Sequence, residues 1–232
     1  MAVSILFKKI GKEGVSVVEF TLFRNVFNLT GASLMCLFFR NIPWKDLPKA
    51  NRSTMAVRSF IGQLCFACFT FCLQLIPLSL QMILFQTSPF WAGILGFFIN
   101  KEPIYRFEYF AMLLCFLGVM GIAFSKPTEV DDDGVAIVID NNNRLYGIAL
   151  IIFTAWLFAG CGVINRFLKN LHFSTVLFFH GAFGLILITT YILMEHWITG
   201  DPFRTYTGAQ YGWLLLCCCF DFLSVNCQTV AY

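Results

Sequence analysis

The sequence is poor in charge. Of its 232 residues, 16 are Lys or Arg and 13 are Asp or Glu, together 12%, about half the share usual in soluble domains. A water-soluble globule of this length would be left with a largely apolar surface. A disordered chain, a nucleic-acid-binding module and almost any soluble enzyme are therefore excluded. Histidine is scarce, with only His172, His180 and His196, and no His-x-x-x-His pairing for a di-iron site. Gly-x-Ser-x-Gly, P-loop and ATPase signatures are missing as well. A secretory signal is not visible, because the short apolar start MAVSILF precedes Lys8, Lys9 and Lys12 instead of following them.

What the chain has instead is apolar mass. Hydrophobic residues make up 58%, and Phe alone occurs 28 times. The ten cysteines (Cys36, Cys65, Cys68, Cys72, Cys115, Cys161, Cys217, Cys218, Cys219 and Cys227) all fall inside apolar blocks. There a reduced thiol behaves as a small hydrophobe. Cys65, Cys68 and Cys72 share a helical face, but no His or acid joins them at zinc-ligand spacing, so packing is the expected role.

Seven blocks approach the ~20 apolar residues that a helix needs to cross a bilayer: 15–39, 56–76, 78–99, 107–125, 145–165, 173–194 and 211–231. They are too long and too uniformly apolar for barrel strands. Backbone polar groups in lipid must then be satisfied within helices. The expected fold class is an all-α polytopic transmembrane bundle, integral and multi-pass. Pro77 marks a corner between the second and third blocks. The linkers 40–55, 100–106, 126–144 and 195–205 are polar, with Asp131, Asp132 and Asp133 consecutive in one of them. That acidic run lacks the alternation of a calcium loop and reads as a solvated segment. Residues 1–7 read as the end of a helix that begins outside this chain, and the abrupt stop at Tyr232 suggests an incomplete second half.

An internal repeat is present. Residues 16–29, SVVEFTLFRNVFNL, align without gaps on residues 172–185, HFSTVLFFHGAFGL, so Arg24 falls on His180 and Phe27 on Phe183. With a slightly different offset, Cys68 and Thr70 fall on Cys227 and Thr229. A repeat unit of five helices, an odd number, inverts the second copy in the membrane. Inverted repeats typify secondary transporters, whose substrates bind near the midplane between the halves.

The stretch LCFACFTFCLQLIPLSLQMILFQTSPFWAGILGFFINKEPI, followed by GVMGIAF, resembles the EamA-type repeat of the drug/metabolite transporter superfamily. The resemblance is carried by Pro77, the mid-helix Pro89, Glu102 at a helix end, Gly118-Val119 late in the fifth helix and the basic Arg24 in the second. It implies ten helices with both termini cytosolic, the seven blocks being family helices two to eight. The domain organisation is then a first repeat over 1–126, an acidic linker over 127–144 and a second repeat over 145–232. In that orientation the loops 40–58, 100–106 and 166–171 are cytosolic. They hold Arg40, Lys45, Lys49, Arg52, Arg58, Lys101, Arg106, Arg166 and Lys169, nine basic residues against six on the other side, as the positive-inside rule requires.

Polar residues deep in the blocks are the candidates for a substrate path: Arg24, Asn28, Gln63, Gln86, Pro89, His180 and Asp221. An Arg near a helix centre costs roughly 2.5–3.5 kcal/mol on insertion scales. Arg24, Asn28 and Gly31 share one face, which must point into the bundle. Arg24 is a cationic contact for an anionic or polar substrate, or else an Arg that snorkels or pairs structurally with Asp221. Asp221 is the only acid deep in a block, and His180 is flanked by Gly181 and Gly184. Gln86, Thr87, Ser88 and Pro89 interrupt the third block at its centre, as in the broken helices of transporters. Gln81 is a weaker candidate of that kind.

A gradient-driven or exchanging transporter of a small polar or organic metabolite is the first reading. A seven-helix receptor is the alternative, weakened by the missing Asp-Arg-Tyr and Asn-Pro-x-x-Tyr signatures. No catalytic residue, metal or cofactor is expected. The expected partners are the lipid bilayer, a small-molecule substrate and, as an open question of assembly, a second copy in a homodimer.

Overall fold

The computed structural model describes residues 17–101, 105–124, 141–168, 171–199 and 207–230. Among them every regular element is helical. We label the principal helices α1 (Val17–Phe38), α2 (Arg52–Leu75), α3 (Leu78–Phe85), α4 (Ser88–Leu95), α5 (Arg106–Phe124), α6 (Asn141–Phe167), α7 (Phe173–Thr199) and α8 (Gly208–Val230). A one-turn helix at Pro43–Asp46 and a 3₁₀ turn at Lys49–Asn51 precede α2.

Each of the seven apolar blocks is helical, the third as two pieces. By length and composition, Arg52–Leu73, Leu78–Ile99, Arg144–Phe167 and Phe173–Trp197 can cross a membrane. Tyr109–Gly121 within α5 is apolar but shorter. Helices α1 and α8 have the length, 22 and 23 residues. Their apolar runs are diluted by Glu19, Arg24, Asn25 and Asn28 in one and by Gln210, Asp221 and Asn226 in the other. Two boundaries move from their expected places. Helix α2 begins at Arg52, so Arg58 lies within it and not in a loop. Helix α6 begins at Asn141, four residues inside the expected linker. Residues 1–7, Lys8, Lys9, Lys12, Glu102 and Asp131–Asp133 lie outside the described residues.

The break in the third block follows from proline chemistry. Pro89 has no N–H to continue the ladder and stands at the start of α4. Around the break, the Thr87 N–H and the Thr87 hydroxyl both donate to the Leu84 carbonyl, at 3.0 and 2.8 Å. The Thr87 side chain thus serves the backbone that proline disrupts. Helix α4 runs into a π-turn at Gly96–Asn100, closed by Lys101 in a left-handed conformation.

Packing divides the chain into two compact units, 1–63 with 164–232, and 64–163. In the second, Cys72, Ile76, Leu80, Leu84, Ile148 and Ile151 form an apolar core. The Cys65 thiol donates to the Thr154 carbonyl at 3.6 Å and the Cys72 thiol to that of Gly147 at 3.9 Å, so these cysteines pack against α6. Gln81 is buried and donates to the Phe69 carbonyl at 2.7 Å. In the first unit, α7 lies along α1, α8 packs against both, and Leu47, Met55, Leu168, Val176 and Phe179 close one end.

Candidate functional site

Helix α1 is built inside out. Its buried stripe is Phe20, Arg24, Asn25, Asn28, Ala32 and Cys36, while Phe23, Val26, Leu34 and Leu37 are exposed. The spacing is helical, but the polar and small residues point inward and large apolar ones outward, the arrangement that suits lipid and not water. Helix α8 follows the same rule, with Asp221 and Asn226 buried and Leu215, Phe220 and Leu223 exposed.

The inward face of α1 meets two sets of partners within the first unit. Arg24 donates through Nε to Asp221 Oδ2 at 2.7 Å. Asn28 donates to the same oxygen at 3.2 Å. Both charged groups are buried, Arg24 to 4% and Asp221 to 8% exposure. The i, i+4 spacing on α1 thus grips one carboxylate from two sides, and the partner of Asp221 is Arg24.

About 100° around α1 from Arg24, Asn25 faces Gln63 of α2. The Gln63 amide nitrogen has three acceptors in reach: Asn25 Oδ1 at 3.3 Å, His180 Nε2 at 3.3 Å and the His180 carbonyl at 3.2 Å. An amide nitrogen carries only two hydrogens, so these bonds compete. When Gln63 donates to His180 Nε2, that nitrogen accepts and the ring proton of the neutral imidazole sits on Nδ1. Asn25 Nδ2, Asn28 Oδ1 and His180 Nδ1 are buried and make no hydrogen bond among the described residues.

Two glycines of α7 make this approach possible. A Cβ on Gly181 would sit 3.0 Å from the Leu29 nitrogen and 3.1 Å from its Cα, backbone that cannot step aside. A Cβ on Gly184 would meet Asn25 Oδ1 at 2.6 Å and crowd the Gln63 amide. On α8 the ring of Phe222 takes the space over Gly31, 2.6 Å from where its Cβ would lie. The motif residue Gly118, by contrast, is exposed, with no neighbour among the described residues within 4 Å of such an atom.

Of the residues singled out in the sequence, Arg24, Asn28, Gln63, His180 and Asp221 therefore come together in one polar seam. Gln86 and Pro89 are not among the contacts described within the first unit. They lie in the second unit with exposed side chains, and Thr87, buried between them in sequence, is committed to Leu84. Sequence reasoning missed Asn25, 1% exposed, because it followed only the face of Arg24, and Asn25 is 100° away on the same helix. It also missed Arg58, which is buried and donates through Nε to Asn165 Oδ1 at 2.7 Å. Ser59 and Thr175 are wholly buried nearby in sequence to Arg58 and His180. Their signal was present, a polar residue at each i, i+4 or i+5 step before Gln63 and His180, but short hydroxyls in apolar helices are too common to mark a site.

The comparison with characterised proteins gives no match. A family model described as the EamA-like transporter family matches residues 1–124, which include α1 to α5 and the Pro77, Pro89 and Gly118-Val119 positions that carried the resemblance. With more than half of the chain matched, this integral, multi-pass helical membrane protein belongs to the EamA-like transporter family.

Proposed function

We propose that the protein moves a small polar metabolite across a membrane by alternating access, driven by a gradient or by exchange, with the seam of Arg24, Asn28, Gln63, His180 and Asp221 on the substrate path. The observation that supports this best is the seam itself. Five helix-borne polar side chains, two of them charged, are withdrawn from lipid onto one another, where an apolar core of the same volume would fold as well. Polar groups kept inside a membrane bundle are characteristic of solute paths.

The proposal extends to architecture: seven spans, an acidic linker over 127–144 and two inverted repeats, 1–126 and 145–232. Helices α1 and α7, which the repeat superposes in sequence, lie along each other, with Gly181 against the Leu29 backbone. A pair of repeat-related helices in contact is what a twofold between the halves places at the centre of a transporter. Gln86, Pro89 and a homodimeric assembly remain secondary parts of the proposal.

Purified protein reconstituted in liposomes and offered a metabolite panel, with and without proton and sodium gradients, tests the reading. Saturable uptake that Gln63→Leu reduces without loss of folded protein is expected. Uptake unchanged by Gln63→Leu would remove the seam from the path.

A further inference from the structure

Resting on the transport reading above, we infer that the seam takes an uncharged, hydroxyl- or amide-bearing solute, held by Asn25, Asn28, Gln63 and His180, and not an anion held by Arg24. Two observations carry this. The first is charge closure. The Arg24 guanidinium is in contact with the Asp221 carboxylate at 2.7 Å, and Asn28 adds a second donor to the same oxygen at 3.2 Å. An anion arriving at Arg24 would have to displace a carboxylate already seated there and leave it buried with one neutral donor, which is strongly unfavourable. The second is a set of three neutral buried groups that the described residues do not satisfy.

Asn25 Nδ2 and, in the tautomer whose Nε2 accepts from Gln63, His180 Nδ1 are buried donors. Asn28 Oδ1 is a buried acceptor. Buried polar atoms of this kind are normally matched by protein, water or ligand. These three are neutral, and they mix donors with an acceptor. A hydroxyl or amide group answers both needs at once, because it donates and accepts. A phosphate or carboxylate offers only acceptors and would leave Asn28 Oδ1 facing negative charge. Gly184 leaves room for the Asn25 and Gln63 amides, since any side chain there would occupy their position. Arg58 is a second buried cation of the first unit. It lies five residues before Gln63 on α2, about 7.5 Å along the helix, and has Asn165 as a partner.

Three probes that share a polyol body separate the charge classes: D-glucose, glucose 6-phosphate and N-methyl-D-glucamine. Their binding is measured by calorimetry on the purified protein, and their uptake in liposomes. Glucose is expected to bind and enter, with the phosphate and the amine at least about tenfold weaker. Asn25→Leu keeps the shape and removes the unmet donor. It should weaken glucose binding about tenfold, one buried hydrogen bond, with an unchanged or higher unfolding temperature. Asp221→Asn removes the carboxylate seated on Arg24 and should admit glucose 6-phosphate. If that variant does not fold, Asn25→Leu carries the test alone. Preference of the wild type for glucose 6-phosphate, particularly one abolished by Arg58→Gln, overturns the inference while leaving transport standing. Binding of glucose without uptake overturns the transport reading and leaves the inference standing. No binding by any probe overturns it too, the unmet atoms then serving water only.

Discussion

Neutralising either member of the Arg24–Asp221 pair should destabilise the protein far more than neutralising both. The two groups touch at 2.7 Å with side-chain exposures of 4% and 11%. At an effective dielectric of about 20, Coulomb's law gives an attraction of about 6 kcal/mol at that distance. Desolvating two ions takes several kcal/mol each, so the pair is near break-even against an apolar replacement. The singles have no such balance. Arg24→Gln leaves a buried carboxylate with one neutral donor, Asn28, at 3.2 Å, and Asp221→Asn leaves a buried guanidinium without its counter-charge. Each single should lower stability by about 3–5 kcal/mol, and the double variant should recover at least about 2 kcal/mol of the summed loss. Arg24→Lys should fall between, because an ammonium retains the charge but not the planar fork. Unfolding titrations of purified protein in detergent, combined as a double-mutant cycle, read the coupling directly. Singles that add to within about 0.5 kcal/mol of the double would refute the claim that these groups are held by each other. If the pair is structural only, the double variant regains uptake along with stability; if Arg24 also contacts solute, stability returns and uptake does not.

The glycines offer a sharper contrast in packing. Gly181→Val drives a branched side chain into the Leu29 backbone and should lower stability by about 1–3 kcal/mol, whereas Gly118→Ala, with open space around it, should be neutral or raise stability by up to about 1 kcal/mol; equal effects in thermal unfolding would contradict the contact. Gly184→Ala should displace the Gln63 amide and reduce uptake more than it reduces the unfolding temperature, a split that a purely packing role does not produce. Topology is testable by cysteine labelling: single cysteines placed in 40–55 and in 126–140 of a cysteine-free background should react with an impermeant reagent from opposite sides, and labelling of both from one side would end the inverted-repeat proposal.

Much of this protein was legible in its one-dimensional pattern. Bilayer thickness sets helix length, and each of the seven apolar blocks is a helix or, around Pro89, a broken one. The break itself followed from a missing N–H, a local property of one residue. That Arg24, Asn28 and Asp221 point inward was also readable, because lipid leaves a charged side chain no other stable direction. What sequence could not decide was who meets whom. Arg24 had two open roles, and only the placement of α8 beside α1 gave it Asp221. Gln63 and Gln81 carried the same sequence signal. One became the hub of the seam and the other a brace on the Phe69 carbonyl, because the neighbouring helix, and not the side chain, sets what an amide can reach. Asn25, Arg58 and Gly184 acquired their roles in the same way. Periodicity along one helix tells which face is buried, but hydrogen bonds between helices depend on axial position and rotation to within about an ångström, and those are settled only when the helices pack.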